Sequence, residues 1–295
     1  MFTKLTDTSQ AAIYSVLVLV MATGVALLIR FLELTPNLGM WILWSCTPTV
    51  AALIMLLVVT REGYSRRGWK VLGLHRLGLG VWWIAFGLTL LITVAASAVV
   101  WATPLASFVV PEGGIVDVLL SFLIQVVMLT LTFALLEEIG IRGYLLPKLL
   151  KMGRRRALAI SGLVWATWHM PLILLTPVFP VGNKLISLPL FYGTVVAASF
   201  FYGYLRIYTG SVWPASIAHS VHNAAWGVLG AFTATSSAVL VNKYLAGDYG
   251  LLILVGAVIG SVLVGRMLRS GMNEVQSGGG TPEAAPIPEA TTASR

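Results

Sequence analysis

Long apolar stretches follow one another along almost the whole chain, and they constrain its fold more than any other feature. A helix needs about 20 apolar residues to cross the hydrocarbon core of a bilayer. Windows of this kind occupy the segments 11–32, 40–60, 81–101, 115–136, 157–175, 188–207, 212–232 and 250–268. With 58% hydrophobic and 10% charged residues, the composition excludes a water-soluble domain. The sequence therefore predicts an all-α fold, a polytopic membrane bundle of about eight transmembrane helices.

The basic residues are distributed very unevenly between the two sides of these segments. If the N-terminus is cytoplasmic, only Arg30, Lys184 and Lys243 fall on the outer side. The cytoplasmic side then collects Lys4, Arg61, Arg66, Arg67, Lys70, Arg76, Arg142, Lys148, Lys151, Arg154, Arg155, Arg156, Arg206, Arg266, Arg269 and Arg295. Cytoplasmic loops of membrane proteins carry such an excess. The net charge of +8 is thus explained by topology, and we predict a multi-pass protein with both termini in the cytoplasm and no nucleic-acid partner.

Ionisable residues inside apolar helices are costly, so they tend to face the bundle interior and to mark a functional site. Three places in this chain qualify. They contain Glu137, Glu138 and Arg142 in the fourth segment, His169 in the fifth, and His219, His222 and Asn223 in the seventh.

Helical spacing sorts these residues into roles. Glu138 and Arg142 are four residues apart and can form an ion pair on one helical face. Glu137 is rotated by about 100° from Glu138, which leaves it free to face another group. His219 and Asn223 also share a face, and His222 lies close to it, so spacing alone does not choose between the two histidines.

A carboxylate and a histidine on different helices can hold and activate one water molecule. Without a metal, this would be a glutamate-based hydrolase, in which further donors stabilise the oxyanion. With a divalent metal such as zinc, Glu137, His169 and His219 could serve as ligands, although the HExxH motif is absent. The alternatives at these positions are an interfacial ion-pair cluster for the two glutamates and a hydrogen-bonded structural histidine at His169.

Three ordered motifs complete the pattern: Glu137-Glu138-x-x-x-Arg142, an aromatic residue four positions before His169, and His219-x-x-x-Asn223. The segment from Ile115 to Trp226 resembles the CPBP family of intramembrane proteases, also called the Abi family, which includes the type II CAAX prenyl endopeptidases. One departure is Trp165, where the family commonly has Phe. Since this side chain is expected to pack, the change is mild.

The resemblance implies an eight-helix endopeptidase that cuts a membrane-anchored peptide or protein near the cytoplasmic face, including prenylated CAAX-type substrates. It implies that Glu137 is the general base and that His169 is its partner on the water. His219 and Asn223 would stabilise the oxyanion, and Glu138 with Arg142 would support the site. Members have been described both as metal-dependent and as metal-independent enzymes, so the predicted cofactor is either none or a divalent metal.

Two other functions are compatible with the sequence. One is a non-proteolytic membrane scaffold or bacteriocin-immunity protein that keeps the motif residues for stability. The other is a proton-coupled transporter, because carboxylates and histidines also build proton relays. The short loops and the Ala, Gly, Val and Arg usage favour a bacterial plasma membrane.

The chain divides into four predicted regions. Residues 1–114 form N-terminal transmembrane helices with an interfacial loop at 61–76, and residues 115–226 form the catalytic core. Residues 227–269 form a C-terminal transmembrane region, and the Gly-, Pro- and Thr-rich tail 270–295 is expected to be disordered. Because Cys46 is the only cysteine, an intramolecular disulfide and a cysteine metal cluster are excluded.

Overall fold

Helices make up nearly all of the computed structural model, which describes residues 5–178 and 182–269. The tail predicted to be disordered, 270–295, lies outside the described residues. The helices are α1 (Asp7–Phe31), α2 (Leu38–Ser45), α3 (Thr47–Ile54), α4 (Arg66–Lys70), α5 (Trp82–Trp101), α6 (Gly114–Leu131), α7 (Phe133–Glu138), α8 (Leu146–Leu149), α9 (Arg154–Leu175), α10 (Lys184–Thr209), α11 (Trp213–Ala231) and α12 (Leu251–Met267).

Shorter elements complete the described part of the chain. Two strands of two residues each, β1 (Ser107–Phe108) and β2 (Thr233–Ala234), pair antiparallel beside the ends of α5 and α11. Turns of 3₁₀-helix lie at Glu62–Tyr64, Leu79–Val81 and Leu150–Met152, and π-helical stretches lie at Met55–Val59, Ile139–Leu145 and Leu240–Leu245.

The predicted polytopic helical bundle is confirmed. Within the described residues, six helical segments are long and apolar enough to cross a membrane: Asp7–Phe31, Leu38–Val59, Leu79–Trp101, Gly114–Met152, Arg154–Leu175 and Lys184–Thr209. The other two predicted segments are also helical. However, α12 has only 17 residues, and α11 carries His219, His222 and Asn223. The count of eight spans therefore depends on these two helices.

The fourth segment extends further than its hydropathy indicated. The prediction ended it at Leu136, whereas the helical chain continues to Met152. It bends at Thr132, which has φ −125° and ψ −104°, and then widens into the π-helical stretch Ile139–Leu145. Such stretches are frequent at functional sites. Glu137 and Glu138 lie immediately before this stretch, and Arg142 lies inside it.

Close helix crossings depend on small residues, as is usual where packing rather than hydrophobic burial holds membrane helices together. α10 packs against α9 and α12, α11 packs against α5 and α6, and α3 packs against the π-helical stretch. At this last crossing Gly140 lies so close to α3 that an added Cβ would meet the backbone and ring of Pro48 at 2.5 Å. Gly140 therefore sets the distance between α3 and the chain that carries the two glutamates.

A polar network joins α1 to the far end of the fourth segment. Lys148 Nζ lies 2.9 Å from Glu62 Oε2 and 3.5 Å from Asp7 Oδ1. Nearby, Tyr144 donates a hydrogen bond to Gln10 Oε1 at 3.3 Å. This network fixes the end of the bundle opposite to the β1–β2 pair.

The loop 61–76 is tied to the turn between α10 and α11. Arg206 Nη2 donates to the Val71 carbonyl at 2.7 Å, and Trp213 Nε1 donates to the Leu74 carbonyl at 3.1 Å. Ser211 Oγ donates to the Arg76 carbonyl at 2.6 Å. The loop is therefore anchored to the bundle, while its position at the membrane interface stays a prediction.

We expect Gly140→Ala to destabilise the protein, because the new methyl group would overlap backbone atoms of Pro48 that cannot rotate away. Overpacking of this kind typically costs about 1–3 kcal/mol. Thermal unfolding of the detergent-purified protein measures the change.

Gly87→Ala is the matched control, because Gly87 is also helical and an added Cβ there would meet nothing within 4 Å. It should keep or slightly raise the unfolding midpoint, since Ala favours a helix over Gly. Equal midpoints for the two variants would contradict the close crossing.

Candidate active site

The two adjacent glutamates of α7 have different partners. Glu138 is fully buried and its Oε1 accepts from Arg142 Nη1 at 3.0 Å, as the four-residue spacing predicted. His219 Nδ1, from α11, lies 3.1 Å from the same oxygen. The guanidinium of Arg142 lies over the ring of Trp165, 4.1 Å from its centroid, and 5.3 Å from that of Tyr202. Glu138 and Arg142 thus form a buried charged centre that joins α7 to α11.

Glu137 is held by neutral donors. Ser45 Oγ, at the end of α2, donates to Glu137 Oε1 at 3.2 Å, and Trp165 Nε1 donates to Oε2 at 3.0 Å. Each oxygen of a carboxylate can accept two hydrogen bonds, so both keep acceptor capacity. Within the described residues Glu137 forms no salt bridge, in contrast to Glu138. Glu137 is therefore the carboxylate that lines the cavity with acceptor sites still open.

His169 is oriented by its own helix. Its Nδ1 lies 2.9 Å from the Trp165 carbonyl oxygen. Because a carbonyl oxygen can only accept, we assign the proton to Nδ1, which leaves Nε2 as an acceptor in the neutral ring. The ring packs edge-on against Trp168 at 4.5 Å and against Phe191 at 5.2 Å between centroids. These contacts fix the direction of the imidazole.

A cavity of about 410 Å³ lies among α2, α5, α6, α7, α9, α10, α11 and α12. Its wall contains Glu137, His169, His219 and Asn223, the four residues predicted to be catalytic. Glu138 and Arg142 are buried behind this wall. The structure thus brings the four predicted catalytic residues to one space and places the supporting pair outside it. The volume lies within the range of small-molecule sites.

The rest of the wall is largely aromatic and aliphatic. Its apolar members include Trp41, Trp44, Phe133, Leu172, Phe191, Phe201 and Trp226. Such a lining suits an apolar substrate with a few fixed polar contacts.

His222, whose role the spacing left open, also lines the cavity, but it faces a different partner from His219. Its Nε2 lies 2.8 Å from Asp248 Oδ1. Asp248 stands just before α12, next to Tyr249, which lines the cavity as well. Burial, followed by the charges of Asp248 and Tyr244, raises the pKa of Tyr249 to about 12, so its hydroxyl is neutral at physiological pH.

Three residues of the site were missed or misjudged from the sequence. Ser45 is one serine in an apolar run, 92 positions from Glu137, and Asp248 lies in a loop. No local pattern connects either residue with the site. Trp165 was expected to pack only, and it packs against Arg142 while also donating to Glu137.

The candidate metal ligands do not form a metal site in this arrangement. Within the described ranges, no group of three or more His, Cys, Asp or Glu side chains could hold a metal ion. His169 and His219 each have Nδ1 engaged, by a carbonyl and a carboxylate, and Glu137 accepts from Ser45 and Trp165. Contacts of this kind to Nδ1 orient an imidazole and leave its Nε2 available.

Residues 119–225 match the family model described as Type II CAAX prenyl endopeptidase Rce1-like. This match confirms the resemblance that the three motifs indicated, and it contains every predicted site residue from Glu137 to Asn223. No curated protein matches the chain.

The matched segment does not contain the whole cavity wall. Ser45 precedes it, and Asp248 and Tyr249 follow it. These residues come from α2 and from the connection into α12, so parts of the chain beyond the match also shape the candidate site.

Removal of one partner from the buried charged centre should destabilise the fold strongly. We expect Arg142→Met to cost about 3 kcal/mol or more, because it leaves the Glu138 carboxylate buried without its cation. Chemical unfolding of the purified protein in detergent measures the loss.

The matched control is Lys151→Met, which removes a basic residue whose side chain is 76% exposed in its pair with Asp7. Exposed pairs contribute little, so its unfolding midpoint should stay unchanged. A wild-type midpoint for Arg142→Met would mean that the buried pair does not hold the site together.

Proposed function

We propose that this protein is an intramembrane endopeptidase that hydrolyses a peptide bond of a membrane-tethered substrate with water activated by Glu137 and His169. The observation that carries the proposal is the cavity that joins these two residues to His219 and Asn223. Glutamate, two histidines and an asparagine from three helices line this one largely apolar space. The family match to a CAAX prenyl endopeptidase supports the same reaction.

Glu137 is suited to be the general base. Its two hydrogen bonds come from a hydroxyl and an indole, which position the carboxylate without neutralising it. Nε2 of His169 can accept the second hydrogen of the same water, since Nδ1 donates to the Trp165 carbonyl. Together the two groups would hold the water with a lone pair directed at the substrate carbonyl carbon.

His219 and Asn223 would stabilise the negative charge that develops on the carbonyl oxygen. Glu138 can only accept while it is ionised, so the His219 Nδ1 carries a proton towards it. Nε2 of His219 can then donate in the imidazolium form. The Asn223 amide lies one helical turn further along the same face and supplies a second donor.

Glu137 would move one proton from the water to the leaving nitrogen. The water oxygen bonds to the carbonyl carbon while Glu137 takes one proton, and a tetrahedral oxyanion forms. Glu137 then gives this proton to the departing nitrogen as the carbon–nitrogen bond breaks. The products are a new carboxyl group and a free amine, and Glu137 returns to its ionised state.

We further propose a substrate of the prenylated CAAX type, because the family description names this class and the cavity is lined by aromatic and aliphatic side chains. The cation-rich end of the bundle, which includes the loop 61–76, is assigned to the cytoplasm of a plasma membrane on the charge distribution. A lipid-tethered peptide would enter from that face.

Glu137→Gln should abolish cleavage while leaving the fold intact, because the amide has the shape of the carboxylate but cannot take up a proton. A loss of at least about a hundredfold in kcat is expected for removal of a general base. The assay uses protein in liposomes and a fluorogenic peptide that ends in a farnesylated CAAX sequence.

Glu112→Gln, at an exposed glutamate outside the cavity, is the control and should cleave at the wild-type rate. Thermal unfolding of both variants separates loss of chemistry from loss of fold. Cleavage by Glu137→Gln at the wild-type rate would contradict the proposed mechanism.

Trp165→Phe tests the indole contact alone, because Phe keeps an aromatic ring under Arg142 but has no N–H for Glu137. We expect kcat to fall about tenfold to a hundredfold, the equivalent of one hydrogen bond to a charged group. Trp83→Phe, at an exposed tryptophan on α5, should leave kcat unchanged. Identical kcat values for both variants would show that the indole only packs.

A further inference from the structure

His222 and Asp248 form an imidazole–carboxylate contact in this cavity, and the proposed chemistry does not use it. Both side chains line the cavity, and 2.8 Å separates Nε2 from Oδ1. The side chains are 16% and 26% exposed, although the pair lies among helices. Its polar atoms therefore face the cavity rather than being enclosed by the protein.

A tight turn places Asp248 beside His222 in the cavity wall. Gly250 N donates to the Gly247 carbonyl at 2.9 Å across the turn. An added Cβ on Gly247 would lie 1.9 Å from the Asn242 carbonyl oxygen, and one on Gly250 would lie 2.3 Å from that of Leu245. Only glycines fit at both ends of the turn, so the backbone on each side of Asp248 is closely fixed.

The turn is also packed against the catalytic wall. The ring of Tyr249 lies 5.6 Å from that of Phe191, and Phe191 lies 5.2 Å from the His169 ring. These contacts fix the position of the Asp248 carboxylate relative to Glu137 and His169.

The carboxylate determines which nitrogen of His222 is available. Because an ionised carboxylate only accepts, Nε2 carries the proton that is donated to Asp248. In the neutral ring Nδ1 is then an acceptor. No partner for this Nδ1 is found in the ranges 5–178 and 182–269, and it is not among their buried unpaired atoms. A hydrogen-bond acceptor of fixed orientation is therefore open to the cavity.

A bound peptide would need such an acceptor. An extended chain inside a bilayer must satisfy its backbone N–H groups, and each unpaired group costs free energy. The helices that form the cavity wall use their own backbone groups internally, so they offer no strand edge to the peptide. Side chains must supply the acceptors.

We propose that His222, oriented by Asp248, is a substrate-binding residue whose Nδ1 accepts a hydrogen bond from a main-chain N–H of the peptide. His222 lies three residues beyond His219, about 4.5 Å further along α11. The contacted N–H would therefore be close to the reacting bond, on the side away from the cation-rich end of the bundle. This inference rests on the proposed peptide substrate and adds a specificity contact to it.

The first measurement is steady-state cleavage of the farnesylated CAAX peptide by the full-length protein in liposomes. His222→Ala should raise KM about fivefold and leave kcat within twofold, since the loss of one hydrogen bond affects binding. Asp248→Asn should raise KM by a smaller factor, because an amide no longer fixes the tautomer of His222. His75→Ala, at an exposed histidine outside the cavity, is the control and should match the wild type.

The second measurement identifies the contacted group. Peptides in which one amide at a time is replaced by an ester lack a single N–H while keeping their shape. One of these esters should raise KM for the wild type about fivefold but leave KM for His222→Ala unchanged. If the His222–Asp248 pair only holds α11 against the turn before α12, the increases in KM caused by the ester and by His222→Ala multiply at every ester position. That result, or an unchanged KM in both variants, would overturn the proposal.

The third measurement separates this inference from the proposed function. Binding of the same peptide and its esters is measured by fluorescence anisotropy on Glu137→Gln, with and without His222→Ala. At one ester position, the ester and His222→Ala together should weaken peptide binding by less than the product of their separate effects. This result supports the contact even if Glu137→Gln still cleaves and the proposed mechanism fails. If Glu137→Gln binds the peptide equally tightly with and without His222→Ala, the contact is overturned, even if Glu137 is the base.

Discussion

The buried ion pair between Glu138 and Arg142 is the interaction on which the rest of the site depends. Both side chains are inaccessible to solvent, and together they contact three helices. Glu138 accepts from His219 of α11, and the guanidinium lies against Trp165 of α9. Because Trp165 in turn donates to Glu137, one charged centre orients both the proposed base and a proposed oxyanion donor.

This centre is not fully satisfied by hydrogen bonds. In the described part of the chain, Glu138 Oε2 and the Nε and Nη2 atoms of Arg142 have no hydrogen-bond partner. The faces of Trp165 and Tyr202 replace some of the missing contacts through cation–π attraction. Polar groups left unpaired in a low-dielectric interior are costly, and a buried ion pair is therefore weak evidence of net stability.

The parts of this site that follow from local chemistry could be predicted from the sequence. A four-residue spacing is enough to pair Glu138 with Arg142 and to rotate Glu137 away from them, and hydropathy alone is enough to predict a helical bundle. Two features could not be predicted. Ser45 and Asp248 reach the cavity only through the packing of distant helices. The fourth segment continues to Met152 because apolar residues after Glu138 pack against α1 and α3, although charged residues interrupt their pattern in the sequence.

The π-helical stretch Ile139–Leu145 sets a rotational register between two ends of one continuous helical segment. Before it stand the glutamates of the cavity, and after it stands Lys148 with its acidic partners Glu62 and Asp7. Deletion of one residue there would turn everything that follows by about 100° and shift it by about 1.5 Å. The cavity and the polar network could then not both form. The length of this stretch is therefore as strongly constrained as the identity of its charged residues, and insertions or deletions should be tolerated in loops before they are tolerated here.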